Sequence, residues 1–314
     1  MNFPIFPKEA STAAAQTDDL FFLLLLASAV VLAFVFLPMI YCLFKYRRGK
    51  KANRVDPNLP EMKIEITWTV VPIFIFIGFF VLGAKAYFNE EVPPADTLEI
   101  NVIGKQWMWK IQHQEGNREI NELHLPVNRA VKLTLASEDV IHSFFVPAFR
   151  IKQDVVPGRF TTEWFQPTRI GAYRFYCSEY CGADHSKMEG TVFVMSPADY
   201  QNWLARGQPQ NSLAQAGENL FRQLGCSGCH VNSKAVHAPV LEGLYQKLVP
   251  LSDGTFVRAD DKYIRDSILL PASQIVQGYQ PLMPTYEGHI NEDELLQLIA
   301  YIKSIGNQEP EKPR

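Results

Sequence analysis

The sequence predicts a multidomain membrane protein with a two-helix transmembrane hairpin, a β-sandwich and an all-α C-terminal domain. Three features predict it: two long uncharged apolar runs near the N-terminus, a series of short alternating segments after them, and a helical apolar period near the C-terminus. A chain of 314 residues is long enough for two or three domains. Its net charge of −3 is mild and gives no indication of a nucleic acid partner.

Residues 1–92 are predicted to form an N-terminal tail and the hairpin. The first span covers about residues 20–44, which include no charged residue, and the second covers about residues 66–88, of which 66–84 are uncharged. A span needs roughly 20 apolar residues to cross a bilayer. The loop between the spans is basic and contains Lys45, Arg47, Arg48, Lys50, Lys51, Arg54 and Lys63. The positive-inside rule places this loop in the cytoplasm and both termini outside, and the tail lacks the basic start of a cleavable signal peptide.

Residues 93–196 are predicted to form the β-sandwich. Pro93 and Pro94 end the anchor, and short segments with the two-residue period of strands follow. The predicted strands are residues 98–103, 107–111, 131–135, 161–165, 173–176 and 191–194. Many short strands separated by turn residues are typical of a sandwich, whose rigid framework is suited to hold a functional loop.

The loop between the last two predicted strands, residues 177–188, is the main candidate for a metal site. Cys177 and Cys181 stand four residues apart, His185 follows four residues later, and Met188 comes three residues after that. Thiolate, imidazole and thioether are ligands that copper prefers, and two thiolates could bridge two copper ions. His142, in an apolar run, is the candidate for a second imidazole. A Cys177–Cys181 disulfide and a zinc site are alternatives, although neither accounts for Met188.

The C-terminal part of the chain carries a second motif. A helix capped by Ser196 and a linker occupy residues 197–210 and lead into a domain of residues 211–314. Cys226, Cys229 and His230 form the Cys-x-x-Cys-His motif of c-type haem, in which two thioethers hold the porphyrin and the histidine binds the iron. A redox dithiol is the alternative interpretation of the same cysteines.

Predicted helices flank this motif at residues 212–224 and 292–305. Asn291 and Glu294 form a capping box at the start of the second helix. The distal iron ligand is expected to be Met283, in the loop before that helix, with His289 and His237 as competing candidates. A methionine ligand would raise the reduction potential relative to a second histidine.

These motifs resemble those of the cytochrome c oxidase subunit II family, in the branch of haem-copper oxygen reductases with a cytochrome c domain fused at the C-terminus. The resemblance covers nearly the whole chain, and it includes the copper loop, the Glu-x-x-Trp-Thr-x-x-Pro pattern at residues 65–72 and the aromatic stretch at residues 104–109. It implies a cupredoxin-like sandwich and an all-α cytochrome c domain. In such a domain a small residue on the first helix crosses an aromatic residue on the last, and Gly217 and Tyr301 suit these roles.

The resemblance implies a dinuclear copper A centre with two copper ions. The bridging thiolates and the two imidazoles, one for each ion, would be those of Cys177, Cys181, His142 and His185. Met188 would be a weak ligand to one ion, and the backbone carbonyl of Glu179 a weak ligand to the other. The Glu179 side chain would also bind a magnesium ion at the boundary with the catalytic subunit, because a carboxylate is a suitable magnesium ligand.

The resemblance also implies a place in the respiratory chain. The chain would take electrons from cytochrome c, or from another periplasmic or membrane donor, and pass them to catalytic subunit I, which reduces oxygen and pumps protons. Glu65 would stand at the entrance of a proton path, and Trp107 would receive electrons, although Met108 stands where the family commonly has Tyr. Glu65 as an interface charge and Trp107 as a core aromatic are the alternatives. The expected location is a bacterial inner (plasma) membrane, in contact with lipid and other oxidase subunits.

Three other functions share parts of this pattern. A copper-A-containing nitric oxide reductase subunit is the nearest enzyme, but Glu65 in its proton-path context favours the oxidase. A quinol oxidase subunit II would lack the copper ligands, which are complete here. A membrane-anchored electron carrier or copper-delivery protein without an enzyme partner is the third alternative.

A few remaining residues carry no chemistry in this interpretation. His113 and His124 lie in no motif and are predicted to be ordinary surface histidines. Cys42 lies in an apolar run and is expected only to pack. Residues 152–159 match a family segment that is interpreted as a turn facing the partner subunit.

Overall fold

The computed structural model describes residues 6–51, 61–207, 212–231 and 238–306. The chain forms two units, one of Thr12–Val92 and the other of Met1–Ser11 together with Pro93–Arg314. Part of the predicted linker, the loop residue Arg54 and the alternative iron ligand His237 lie outside the described residues.

Two long helices make up the first unit: α1, Thr12–Lys45, and α2, Glu61–Glu91. The predicted spans lie inside them, because a long apolar run satisfies its backbone polar groups in a bilayer only as a continuous helix. Pro38 and Pro72 lie within the helices, where spanning segments tolerate them. Both helices are long and apolar enough to cross a membrane, and their most apolar stretches are not buried within the structure. Such surfaces are suited to contact lipid.

The second unit begins with a β-sandwich. Its strands are β1 Leu98–Lys105, β2 Met108–His113, β3 Arg118–Ile120, β4 Glu122–Pro126, β5 Val131–Ser137, β6 His142–Val146, β7 Ile151–Val155, β8 Thr161–Phe165, β9 Gly171–Cys177 and β10 Glu189–Met195. One sheet has the order β3-β2-β1-β5-β8 and the other the order β4-β10-β9-β6-β7. Strands β1 and β5 pair in parallel, as do β4 and β10. Apolar side chains from both sheets form the core, in which Trp109, Phe144 and Phe175 are fully buried.

The six predicted strands are confirmed, and β3, β4, β6 and β7 were not predicted. Strand β3 has only three residues, and β7 is a polar edge strand, so neither carries a clear apolar alternation. Strand β6 is buried along most of its length, and a strand covered on both faces loses the alternation. Strand β4 does alternate, with Leu123 and Leu125 buried, so its signal was available in the sequence.

The C-terminal part of the second unit is mainly helical. Its elements are α3 Pro197–Arg206, α4 Leu213–Gln223, α5 Ser227–His230, β11 Leu248–Pro250, β12 Phe256–Arg258, α6 Asp261–Leu269 and α7 Glu292–Ser304. Ser196 caps α3, and capping boxes start α4 at Ser212 and α7 at Asn291. The predicted helices are therefore confirmed. They could be predicted from the sequence because a cap is a local hydrogen bond between residues close in the chain. The β11–β12 hairpin and α6 were not predicted.

Helices α4 and α7 cross at Gly217, which lies against Tyr301 as predicted. A Cβ atom at position 217 would lie 1.9 Å from the backbone oxygen of Gln297 and 2.9 Å from the Cβ of Tyr301. Only glycine allows this approach, so the crossing depends on it.

Helix α7 also packs against the sandwich. Leu296 is buried with Ile103 and Ala136, which lie on the opposite face of their sheet from the sandwich core. Two ion pairs border this contact: Lys110 Nζ lies 3.2 Å from Asp293 Oδ2, and Lys303 Nζ lies 2.9 Å from Glu99 Oε2. The helical domain and the sandwich therefore share an interface with an apolar centre and charged edges.

Candidate functional site

The copper-loop residues converge with His142 in the sandwich. Strand β9 ends at Cys177, the loop to β10 carries Cys181 and His185, and β6 begins at His142 beside β9. The two cysteine Sγ atoms lie 3.7 Å apart. His142 Nδ1 is 3.9 Å from Cys177 Sγ, and His185 Nδ1 is 3.5 Å from Cys181 Sγ. Each thiol therefore faces the other thiol and one imidazole.

Two further donor atoms border this cluster. Met188 Sδ lies 3.7 Å from Cys181 Sγ, and the backbone oxygen of Glu179 lies 3.2 Å from Cys177 Sγ. Both thiols are free, and the two cysteines and Met188 are buried. A buried set of sulfur and imidazole donors is better suited to bind copper than to bind a hard cation such as magnesium.

The two thiols have opposite shifts in pKa. Burial disfavours the thiolate of Cys177, but hydrogen bonds from His142 and from the backbone at Ser143 and Glu179 outweigh it and lower its pKa to about 6. Burial and the neighbouring Cys177 charge raise the pKa of Cys181 to about 12. Two adjacent thiols with such opposite shifts ionise together only beside a cation, and a bound metal ion would supply that charge.

Asp139 contacts the candidate ligand His142, and the sequence interpretation did not single it out. Its carboxylate accepts a hydrogen bond of 2.8 Å from His142 Nε2 and another of 2.7 Å from the backbone N–H of Gln106. Because Nε2 is engaged there, Nδ1 is the nitrogen that points to Cys177. The sequence signal for this contact was a carboxylate three residues before the candidate ligand histidine. The ring of His142 is also in edge contact with Trp109, at a centroid distance of 5.8 Å.

The haem-motif residues lie on and beside the short helix α5. His230 Nδ1 donates a hydrogen bond of 2.9 Å to the backbone oxygen of Pro239, which leaves Nε2 for an iron. Cys226 is partly buried against the domain's apolar core, Cys229 is exposed, and both thiols are free. These positions fit covalent attachment of a porphyrin to the two sulfur atoms.

Met283 and His289 differ in their surroundings. Met283 is partly buried and packs against the same apolar core as Cys226. His289 is exposed, and its Nδ1 lies 3.1 Å from the backbone oxygen of Glu287 in its own turn. The apolar position of the thioether favours Met283 as the distal ligand.

Three parts of the chain match known protein families. Residues 1–83 match the transmembrane domain of cytochrome c oxidase subunit II, and residues 117–195 match its periplasmic domain. Residues 214–306 match the cytochrome c family. The matches follow one another along the chain in the order of the anchor, the sandwich and the helical domain.

Individual relatives extend the likeness over most of their own length. Cytochrome c oxidase subunit 2 of Cereibacter sphaeroides is 32% identical over 64% of this chain and 80% of its own. The chain belongs to the cytochrome c oxidase subunit II family. Cytochrome c oxidase subunit 2 of Alkalihalophilus pseudofirmus is 28% identical over 88% of this chain and 83% of its own length, more than the anchor and sandwich alone contain. Alternative cytochrome c oxidase subunit 2 of Bradyrhizobium diazoefficiens is 31% identical over 60% of this chain and 78% of its own.

Membership of the subunit II family makes the chain a component of an oxidoreductase, held in the membrane by a two-helix anchor. Its sandwich domain implies copper A, and its cytochrome c domain implies haem. The residues of both sites fit these groups: the first has two thiols facing two imidazoles, and the second has two free cysteines beside a histidine whose Nδ1 is hydrogen-bonded to a backbone oxygen.

Trp107 lies beside the copper loop, and Glu179 is part of that loop. Trp107 is partly buried, and its indole N–H donates a hydrogen bond of 3.3 Å to the backbone oxygen of Cys181. The Glu179 carboxylate is 3.3 Å from Lys152 Nζ and is about half exposed. Trp107 therefore contacts the loop directly, and the Glu179 carboxylate is paired with Lys152.

Glu65 lies in the first turns of α2, with its side chain exposed on the surface of the first unit. In the same turns of the helix, the Thr67 hydroxyl donates a hydrogen bond to the backbone carbonyl of Lys63. The Glu65 carboxylate therefore lies on the exposed surface near the start of a largely apolar helix.

The expectation that His113 and His124 are ordinary surface histidines is wrong. His113 is fully buried, and its two ring nitrogens contact Glu119 Oε1 at 2.8 Å and the Tyr200 hydroxyl at 3.1 Å. His124 is partly buried, and its Nδ1 is hydrogen-bonded to Glu119 Oε2. His113 is the last residue of β2, and His124 lies in β4. A single histidine in the sequence does not indicate which side chains will contact it after folding.

Proposed function

We propose that this chain receives electrons and delivers them to catalytic subunit I of a cytochrome c oxidase, which reduces oxygen to water and pumps protons. One observation supports it above all, the convergence of two thiols, two imidazoles and a thioether: Cys177, Cys181, His142, His185 and Met188. When bound, the copper pair and a covalent haem c supply centres that accept and release single electrons.

The chain's own residues would hold these two groups in fixed places. Cys177 and Cys181 would bridge the copper ions, with His142 and His185 as the nitrogen ligands and the Met188 thioether and Glu179 carbonyl as weak ligands. Asp139 would keep the His142 ring oriented through its 2.8 Å hydrogen bond. The haem would be attached at Cys226 and Cys229 and ligated by His230 and Met283.

The contact between α7 and the sandwich supports transfer within one chain. A donor domain fixed by Leu296 and by the Lys303–Glu99 ion pair is at high effective concentration near the copper site. A soluble cytochrome would then deliver its electron to the haem domain rather than to the sandwich. Trp107 would be the residue through which electrons reach the copper loop, since its N–H contacts the Cys181 carbonyl.

The remaining partners follow from the family and the anchor. The Glu179 carboxylate, about half exposed, would bind magnesium at the boundary with catalytic subunit I once it leaves Lys152. The basic loop between α1 and α2 would lie in the cytoplasm, with both metal domains on the periplasmic side of a bacterial inner membrane. The electron donor would be cytochrome c or another periplasmic or membrane carrier.

The copper assignment is tested on the purified oxidase complex. We expect the electron paramagnetic resonance spectrum to contain the multiline signal of one unpaired electron shared by two copper ions. Cys181→Ser should remove that signal, because a hydroxyl is a poor bridge between copper ions. Cys42→Ser, which changes the exposed cysteine of α1, should leave it intact. A wild-type spectrum of a single blue copper would contradict the dinuclear site.

Glu65 is proposed as the entrance of a proton path, because its carboxylate lies at the start of an apolar spanning helix. Glu65→Gln keeps the size and removes the ionisable group, so oxygen consumption should slow severalfold while the metal content stays unchanged. Lys63→Gln, two residues away on α2, is the matched control and should have a small effect. Equal oxygen consumption by Glu65→Gln and wild type across pH would contradict the role.

A further inference from the structure

A second group of possible metal ligands lies away from the copper loop. Glu119 is in β3, and Glu122 and His124 are in β4. One ligand atom from each of the three side chains lies within 4.8 Å of the other two. The chain passes from one sheet of the sandwich to the other between β3 and β4, so the group sits at a corner where the two sheets meet.

The three side chains border an open cavity of about 690 Å³. Trp203 and Gly207, at the end of α3, and Arg118 also line it. A cavity of this size holds several water molecules, which need about 30 Å³ each. A metal ion with three protein ligands could therefore complete its coordination with water.

Buried neighbours hold the Glu119 carboxylate in place. Its Oε1 accepts a hydrogen bond of 2.8 Å from His113 Nε2, and the other ring nitrogen of His113 lies 3.1 Å from the Tyr200 hydroxyl. His113 is fully buried, and Tyr200 is 1% exposed. Carboxylates that bind metal ions are commonly oriented by such outer hydrogen bonds. The second oxygen, Oε2, is directed to His124.

The imidazole of His124 is also fixed. It is stacked on Phe193 and on Trp203, with both ring centroids at 4.7 Å. Its Nδ1 is the nitrogen that contacts Glu119 Oε2. The copper and haem sites use none of these residues, so the hydrogen-bonded His113–Glu119–His124 chain is separate from the proposed electron carriers.

We propose that Glu119, Glu122 and His124 form a Zn²⁺ site. The ion would take the place of the proton between His124 Nδ1 and Glu119 Oε2, and that proton would pass to solvent. Two carboxylates balance the charge of a divalent ion, and one imidazole with carboxylates and water is a ligand set that zinc accepts. The bound ion would join β3 and β4, and hence the two sheets, beside the end of α3.

The test uses the complete, copper- and haem-loaded oxidase. Its zinc content is measured by mass spectrometry after equilibration with Zn²⁺ and removal of the free ion, and affinity is measured by calorimetric titration. We expect the wild type to bind one Zn²⁺ at this site and Glu122→Gln to bind it at least about tenfold more weakly. Glu122 lies outside the His113–Glu119–His124 chain, so this variant leaves the buried hydrogen bonds in place.

Glu115→Gln is the matched control, because Glu115 is an exposed carboxylate in the turn before β3 and does not belong to the group. It should bind Zn²⁺ as the wild type does. X-ray absorption at the zinc edge should show nitrogen and oxygen ligands without sulfur. Sulfur ligands, equal weakening by Glu115→Gln, or an affinity that Glu122→Gln leaves unchanged would each overturn the proposal, as would a wild type that binds no Zn²⁺.

Discussion

His142 presents Nδ1 to Cys177 because Asp139 engages the other ring nitrogen. The space around the ring is equally restricted: a Cβ atom at Gly104 would lie 2.9 Å from His142 Cδ2. Trp109 covers the ring from the core side. The orientation of this candidate ligand therefore depends on residues from β1, β2 and the loop before β6, and none of them needs to contact a metal ion.

Met283→Ala tests the distal iron ligand. Loss of the thioether should lower the reduction potential of the haem, by on the order of 0.1 V or more, because axial ligands set that potential. Oxygen uptake driven by a natural donor should then fall strongly. Direct photoreduction of the copper site should still pass electrons onward at the wild-type rate.

His289→Ala is the control for this prediction, since His289 is exposed and turned toward Glu287. The potential should not change in that variant. If the potential moved in His289→Ala and not in Met283→Ala, the histidine would be the ligand.

At the level of single elements, the C-terminal domain depends on the crossing of α4 and α7. Gly217 is buried at the crossing, and Gln297 and Tyr301 leave no room for a methyl group. Helix α4 depends on this packing for its stability, because an isolated helix of 11 residues is only marginally stable in water.

Gly217→Ala should therefore destabilise the domain. The helix would gain up to about 1 kcal/mol from alanine, but overpacking costs about 1–3 kcal/mol and can exceed it. We expect a net loss of about 1 kcal/mol or more in the free energy of unfolding by urea, followed by haem absorbance. Asn219→Ala, at an exposed position of the same helix, should raise stability slightly. Equal stabilisation by both variants would show that the helices separate without cost.

In the second unit as a whole, the interface between the sandwich and the helical domain joins the two candidate electron carriers. Its centre is Leu296 with Ile103 and Ala136, and charged pairs lie around it. Burial favours the neutral form of Glu99, yet Lys303 and Lys132 outweigh burial and hold its pKa below the usual value. The Glu99–Lys303 ion pair is thus charged at neutral pH. The apolar centre of the interface nevertheless supplies the larger share of the contact energy, because partly exposed ion pairs contribute little.

Leu296→Asp should separate the two domains, because it places a charge in the apolar centre of the interface. We expect hydrogen exchange of β1 and β2 to increase and electron transfer from haem to copper to slow by at least tenfold. Phe256→Asp changes an exposed apolar residue of the same domain and should affect neither measurement. Unchanged transfer in Leu296→Asp would mean that the observed contact is not the one used for electron transfer.

Several features that depend on neighbouring residues could be predicted from the sequence. The apolar spans, the capping box at Asn291, and the Cys-x-x-Cys-His motif follow from spacing along a few turns of backbone. The copper loop also lies within one short stretch, so its ligand types could be recognised. The family resemblance then supplied the roles of the ligands, which spacing alone left open.

Contacts between distant segments needed the folded structure. The burial of His113 depends on Glu119 and Tyr200, which come from β3 and α3, and the packing of α7 depends on the outer face of β1 and β5. Nothing in a local pattern identifies the partner of a polar side chain, because that partner is chosen by the way whole sheets and helices meet. The sequence therefore determined the spanning helices, the capped helices and the candidate ligand types, because their signals are local. The tertiary structure decided which residues orient those candidate ligands and which surfaces lie in contact, because these depend on distant segments.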